Sequence, residues 1–209
     1  MRRGFTVIEI IFVVTIAAIL IGIAAPRLLQ KDDLSLAADQ VINHIRYTQH
    51  LALMEDKFDP NDGNWKRRAW RIRFSDYRSN VEYGSSWSYT IFSDQDAGTN
   101  NAPIETEMAK NPLIRNQLLS GGFNDSLPID TEEANPDMLL GRAYSIDTLS
   151  FSGCGGRTIA FDEIGRPYYM SDANMNPIEN TCTITLTHQS GDTAQICIEP
   201  ETGYTHRCD

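Results

Sequence analysis

Hydrophobic and polar positions divide the chain into two regimes. Residues 5–25 form an apolar run interrupted only by Thr6, Glu9, Thr15 and Gly22. A uniformly apolar stretch of about 20 residues has the length of a membrane-spanning helix. It ends at Pro26, with Arg27 and Lys31 just beyond. Past Asp32 and Asp33 the pattern changes: Leu34, Ala38, Val41, Ile42, Ile45 and Ala52 recur at helical spacing, while Asp39, Asn43, Arg46 and His50 fall largely on other faces. That periodicity predicts an amphipathic helix with one stripe against a core. Asp32 and Asp33 are placed to cap it as a second segment after a kink at Pro26. The Asp-Pro-Asn-Asp-Gly run at 59–63 then breaks it.

From Trp65 onward the period falls to two. Residues 69–74 alternate Trp70, Ile72 and Phe74 with Arg71 and Arg73, which predicts a strand with one wet face. Further strands are expected over 86–92, 145–152, 157–162, 167–170, 182–188 and 193–198. Gln189–Asp192 and Pro200–Gly203 read as hairpin turns. Between 93 and 144 Asn, Asp, Gly and Pro are frequent, which predicts an insertion with little regular structure beyond a turn or short helix near 113–119.

Composition narrows the reading. The 209 residues suffice for one domain with a core, and a net charge of −10 disfavours a phosphate backbone as partner. Four cysteines, Cys154, Cys182, Cys197 and Cys208, follow an apolar N-terminus with no C-x-x-C spacing, which points to disulfides in an oxidising compartment. The turn at 200–203 returns the chain toward Cys208, so Cys197–Cys208 is one expected pair. Cys154 and Cys182 each precede a candidate strand and make the other pair if those strands are neighbours. The rival set is Cys182–Cys197 with Cys154–Cys208. It follows if the hairpin is centred on Gln189-Ser190; a centre on Ser190-Gly191 puts Cys182 and Cys197 out of register.

The first residues carry the most specific signal. A short basic segment, Met1-Arg2-Arg3, leads into Gly4-Phe5-Thr6-Val7-Ile8-Glu9 and the apolar run. A carboxylate within a membrane span is unfavourable and implies a partner of opposite charge. A secretory signal cut after Ala24 or Ala25 is the competing reading, but Pro26 after the cut and Glu9 in the apolar core both fit it poorly. The junction closely resembles the type IV prepilin leader of pilins and type II secretion pseudopilins. The resemblance implies prepilin peptidase cleavage after Gly4 and N-methylation of Phe5. It also implies that Glu9 neutralises the terminal amine of a neighbouring subunit during filament assembly.

A second resemblance concerns the C-terminal half. Residues 158–167, the strand 182–188, Ile196-Cys197-Ile198 and Gly203-Tyr204 are similar to the GspH/FimT class of minor pilins and pseudopilins, as is the helix from Ile45-Arg46-Tyr47 to Leu53. Together the resemblances imply an α+β pilin-like fold, a long N-terminal helix packed on an antiparallel β-sheet. They divide the chain into a leader (1–4), a transmembrane helix and filament core (5–26), a periplasmic helix (27–58) and a β-rich globular domain (65–209) with an insertion at 93–144. The implied protein is a single-pass inner-membrane subunit of a type IV pilus or a type II secretion pseudopilus. Its implied partners are other pilin or pseudopilin subunits, prepilin peptidase and the filament assembly machinery.

Other chemistry is less well supported. His44, His50, His188 and His206 accompany no G-x-S-x-G elbow, so an enzyme is not expected, and no cofactor is implied. Residues 94–100 alternate oxygen-bearing side chains, but Gly98 takes a ligand position and no glutamate closes the loop, so a solvated loop is preferred to a calcium site. Lys66, Arg67, Arg68, Arg71 and Arg73, interleaved with Trp65 and Trp70, form the one basic cluster. Such a cluster can grip single-stranded nucleic acid, and some FimT-like minor pilins bind DNA for transformation through an arginine-bearing C-terminal turn. Here the matching segment, Gly203-Tyr204-Thr205-His206-Arg207, has one arginine. A DNA-binding minor pilin is therefore the alternative, and arginines facing water or an acidic neighbour the preferred account.

Overall fold

A computed structural model describes residues 6–76, 87–95, 102–123, 127–128, 131–171 and 174–208, with backbone alone over 22–32. One helix, α1 (Val7–Met54, 48 residues), dominates the N-terminal quarter. The helical backbone continues through Pro26 and Asp32-Asp33, so the expected second segment with its own cap does not exist. Past Met54 the chain is held in turns and not in helix: Asp56, Asp59 and Asp62 each accept from the N–H two residues on, at 2.8, 2.9 and 2.9 Å.

Nine strands follow among the described residues: β1 (Arg71–Asp76), β2 (Trp87–Phe92), β3 (Ile146–Ser152), β4 (Thr158–Phe161), β5 (Pro167–Ser171), β6 (Asn174–Pro177), β7 (Cys182–His188), β8 (Thr193–Ile198) and β9 (Thr205–Arg207). They form two antiparallel sheets, β2-β1-β4-β5-β6 and β3-β7-β8-β9, where the sequence reading foresaw one. The fold is mixed α+β with antiparallel sheets. The outer half of α1 packs on both, and its stripe of Leu34, Ala38, Val41, Ile42, Ile45 and Ala52 joins Ile72, Phe74, Phe161, Ile184 and Ile196 in one core.

The β7–β8 hairpin fixes the cysteine geometry. His188 N donates to Asp192 O at 2.9 Å and Gly191 N to His188 O at 2.8 Å, with Gly191 at φ +90. This is a three-residue loop closed by a left-handed glycine, not either expected two-residue turn. It sets Thr183 opposite Cys197, so Cys182 and Cys197 point to opposite faces. Cys154 bonds Cys182 and Cys197 bonds Cys208, with Cα separations of 4.4 and 5.2 Å. The reason for the first pair differs from the expected one. Cys154 lies just past β3, which runs beside β7, whereas β4 belongs to the other sheet.

The insertion is more ordered in its role than its composition suggested. Met108 and Ser120 bridge Phe92 and Thr90, and Leu139 bridges Ser88, so the insertion lines the free edge of β2. Met108, Leu118, Phe123, Leu127 and Ala134 cluster with Phe92 and cover the outer face of that sheet. Residues 113–119 form no helix: a turn there is closed by a Lys110–Leu118 bridge and braced by Asn111. Among the described residues of the insertion, short helical turns lie at Glu105–Glu107 and Pro136–Met138, and an α-helix, α2, at Leu140–Tyr144.

Candidate functional site

Gly4 and Phe5 lie outside the described residues. Glu9 stands in the first turn of α1, exposed to solvent. Thr6 is the N-cap: its Oγ1 accepts from Glu9 N, and Thr6 N donates to Glu9 Oε2, both at 3.4 Å. This reciprocal capping box gives Glu9 a role within its own chain, and the T-x-x-E spacing carried the signal in the sequence. Apart from Glu9 and Thr15, the described side chains from Val7 to Ile21 are apolar and exposed around the helix; Val7 and Ile8 are 76% and 68% exposed. Among the described residues no helix is long and apolar enough to cross a membrane. The side chains described in the apolar run stop at Ile21, so the span predicted over 5–25 is not met by the described part of α1.

The basic cluster does not form a continuous charged surface. Lys66, Arg67 and Arg68 occupy a 3-10 turn, Trp65–Arg68, that packs near β6. Arg68 pairs with Asp62 at 2.9 Å, and Lys66 lies 6.0 Å from the Trp65 ring centre. Arg71 does not face water: it is 1% exposed, with its guanidinium 5.1 Å from the Phe92 ring centre. Burial draws its pKa down to about 10, against the opposing pull of Asp94, so it stays charged at neutral pH. Arg73 is half-buried over Phe123 at 5.3 Å. The expectation that these arginines face solvent is corrected for Arg71, because the insertion covers that face of the sheet.

Asp94, the first residue of the suspected calcium loop, is buried and interacts with Arg71, while residues 96–100 lie outside the described residues. Among the described residues no three His, Cys, Asp or Glu side chains converge to hold a metal.

A partly buried polar chain, centred on the buried Tyr89, joins α1 to the insertion. Tyr144 O–H donates to Gln40 Oε1 at 2.7 Å, and Gln40 Nε2 donates to Tyr89 Oη at 2.9 Å and Asp137 O at 2.7 Å. Tyr89 Oη lies 2.6 Å from His44 Nδ1, to which the phenol donates when the imidazole is neutral. Burial holds the His44 pKa down to about 4. Below the ordinary histidine range the unfolded chain takes up a proton that the folded chain refuses. His44 therefore costs stability progressively as pH falls from about 6.5 to 4, by about 3 kcal/mol in all. In urea unfolding across that window, His44→Gln should lose about one proton's worth of slope. Parallel stability curves for the variant and the parent would contradict this.

The C-terminus clamps α1 from the other side. Arg46 donates to Thr205 O at 2.7 and 3.0 Å, and Gln49 Nε2 to Gly165 O and Thr202 O at 2.8 Å each. Arg207 pairs with Asp39 at 3.0 Å and donates to Ser35 O. Sequence reading missed these partners because they join residues more than a hundred positions apart.

No family model, no characterised protein and no solved structure matches this chain.

Proposed function

We propose that this chain is a structural subunit of a type IV pilin-like filament, a minor pilin or pseudopilin processed by prepilin peptidase and anchored in the bacterial inner membrane with its globular domain in the periplasm. The observation that carries this reading is the Gly4-Phe5 junction and Glu9 at the head of a 48-residue helix. The two halves of that helix differ in surroundings. Its outer half is buried on two sheets, while the described residues of its first half expose apolar side chains that need a cover. A bilayer before assembly and neighbouring helices after it supply that cover. The two disulfides fit an oxidising periplasm.

The capping box sharpens the test of Glu9. Glutamine satisfies a capping box as glutamate does, but carries no charge. If Glu9 meets the amine of a neighbouring Phe5, Glu9→Gln and Glu9→Ala should both insert normally into the membrane and both be lost from filaments. Incorporation of Glu9→Gln at the parent level would show that Glu9 serves only its own helix.

A further inference from the structure

An open cleft of about 400 Å³ lies between the β3–β4 loop and the β6–β7 connection, on a surface that neither α1 nor the basic cluster reaches. Its walls are held in place. The Cys154–Cys182 bond ties the loop to the start of β7. Gly155, at φ +70, lies against the Tyr169 ring so closely that a Cβ would meet its Cγ at 2.3 Å. Across the β5–β6 pair Tyr169 stands opposite Asn176, and Tyr168 opposite Pro177. Ile178, buried and with its N–H on Pro167 O at 3.2 Å, anchors the chain that leads into Glu179 and Asn180.

The lining has a distinct chemistry. Tyr169, half-buried, and Pro177 offer ring and methylene surface. Asn176 and Asn180 offer paired donors and acceptors, and Glu179 an acceptor with two oxygens. Glu179 and Asn180 are exposed and make no side-chain hydrogen bond among the described residues, so both are at liberty to bind. Among the described residues no lysine, arginine or histidine lines the cleft, which disfavours a phosphate or carboxylate ligand. By contrast, a smaller opening of about 250 Å³ between Trp65 and Tyr168 has its rings already faced by the chain's own Lys66 and Arg166, at 6.0 and 5.9 Å.

We propose that the Tyr169–Asn180 cleft binds a neutral sugar ring. A pyranose has an apolar C–H face to lay on an aromatic ring and vicinal hydroxyls that match amide and carboxylate groups. The volume falls within the range of small-molecule sites. This inference stands apart from the filament reading, since it uses no residue of α1.

Saturation-transfer NMR on the full chain tests it, in lauryldimethylamine oxide because that detergent carries no sugar. The probes are methyl glucoside, methyl galactoside, methyl mannoside and N-acetylglucosamine, with N-acetylneuraminic acid as the charged comparison. At least one neutral probe should receive saturation with a Kd on the order of 1 mM. Asn180→Ala should weaken it about tenfold, because it removes an amide, and Glu179→Gln measurably, because it turns one carboxylate acceptor into an N–H donor and removes the charge; neither touches the core. Tyr169→Ala should abolish it, with peptide mapping of both disulfides showing that the variant folds. Transfer to none of the neutral probes would overturn the proposal. So would preference for the charged sugar, or affinity unchanged in both Asn180→Ala and Glu179→Gln.

Discussion

Ile45→Asp should leave the globular domain without a cooperative unfolding transition, while Asn43→Asp on the same helix should stay within about 0.5 kcal/mol of the parent. Ile45 is fully buried at the centre of the stripe that joins α1 to both sheets, whereas Asn43 is exposed. Truncation to alanine alone would cost about 2–5 kcal/mol through lost burial and the cavity left behind. Aspartate places a carboxylate in a cluster of apolar side chains, costing several kcal/mol more unless it protonates. The sum approaches the whole stability of a domain, about 5–15 kcal/mol. Urea unfolding followed by circular dichroism measures it. A sigmoidal transition within 1 kcal/mol of the parent would mean that α1 does not organise the core.

Loss of the Cys154–Cys182 bond should be the next largest effect, about 3–4 kcal/mol for the paired Cys154→Ser, Cys182→Ser variant. This bond closes a separation of 28 residues, against 11 for Cys197–Cys208. Loop entropy grows with the logarithm of length, so the paired Cys197→Ser, Cys208→Ser variant should lose about 1 kcal/mol less. It should also free β9, which holds Arg207 against Asp39 and Thr205 against Arg46. Faster exchange of the amides of residues 205–208, with β7 unchanged, is the expected signature. A larger loss of stability for Cys197–Cys208 than for Cys154–Cys182 would contradict the ranking.

What the sequence revealed follows from how local each signal is. β7 and β8 were legible to the residue, because period-two alternation and turn residues are properties of neighbouring positions. The stripe of α1 was legible for the same reason at period 3.6. β6 and β9, of 4 and 3 residues, were not, since alternation over so few polar positions carries no signal and pairing with a neighbour makes them strands. Arg71 looked like a solvent-facing residue because arginines in strands usually are, and the Phe92 and Met108 cluster that covers it is distant in sequence. Ser88 and Thr90 are buried by the same insertion, and Thr90 lies 2.6 Å from Ser120 within it. At the N-terminus the T-x-x-E box is a local signal that gives Glu9 a second role beside its charge.

The filament reading rests most directly on where the mature chain begins. Mass spectrometry of the protein purified from membranes of a host with an active prepilin peptidase should give an N-terminal peptide starting at Phe5 and carrying one methyl group on its amine. The same protein from a host lacking the peptidase should begin at Met1 or Arg2. A mature terminus at Pro26, or a chain beginning at Met1 in the presence of the peptidase, would contradict the account.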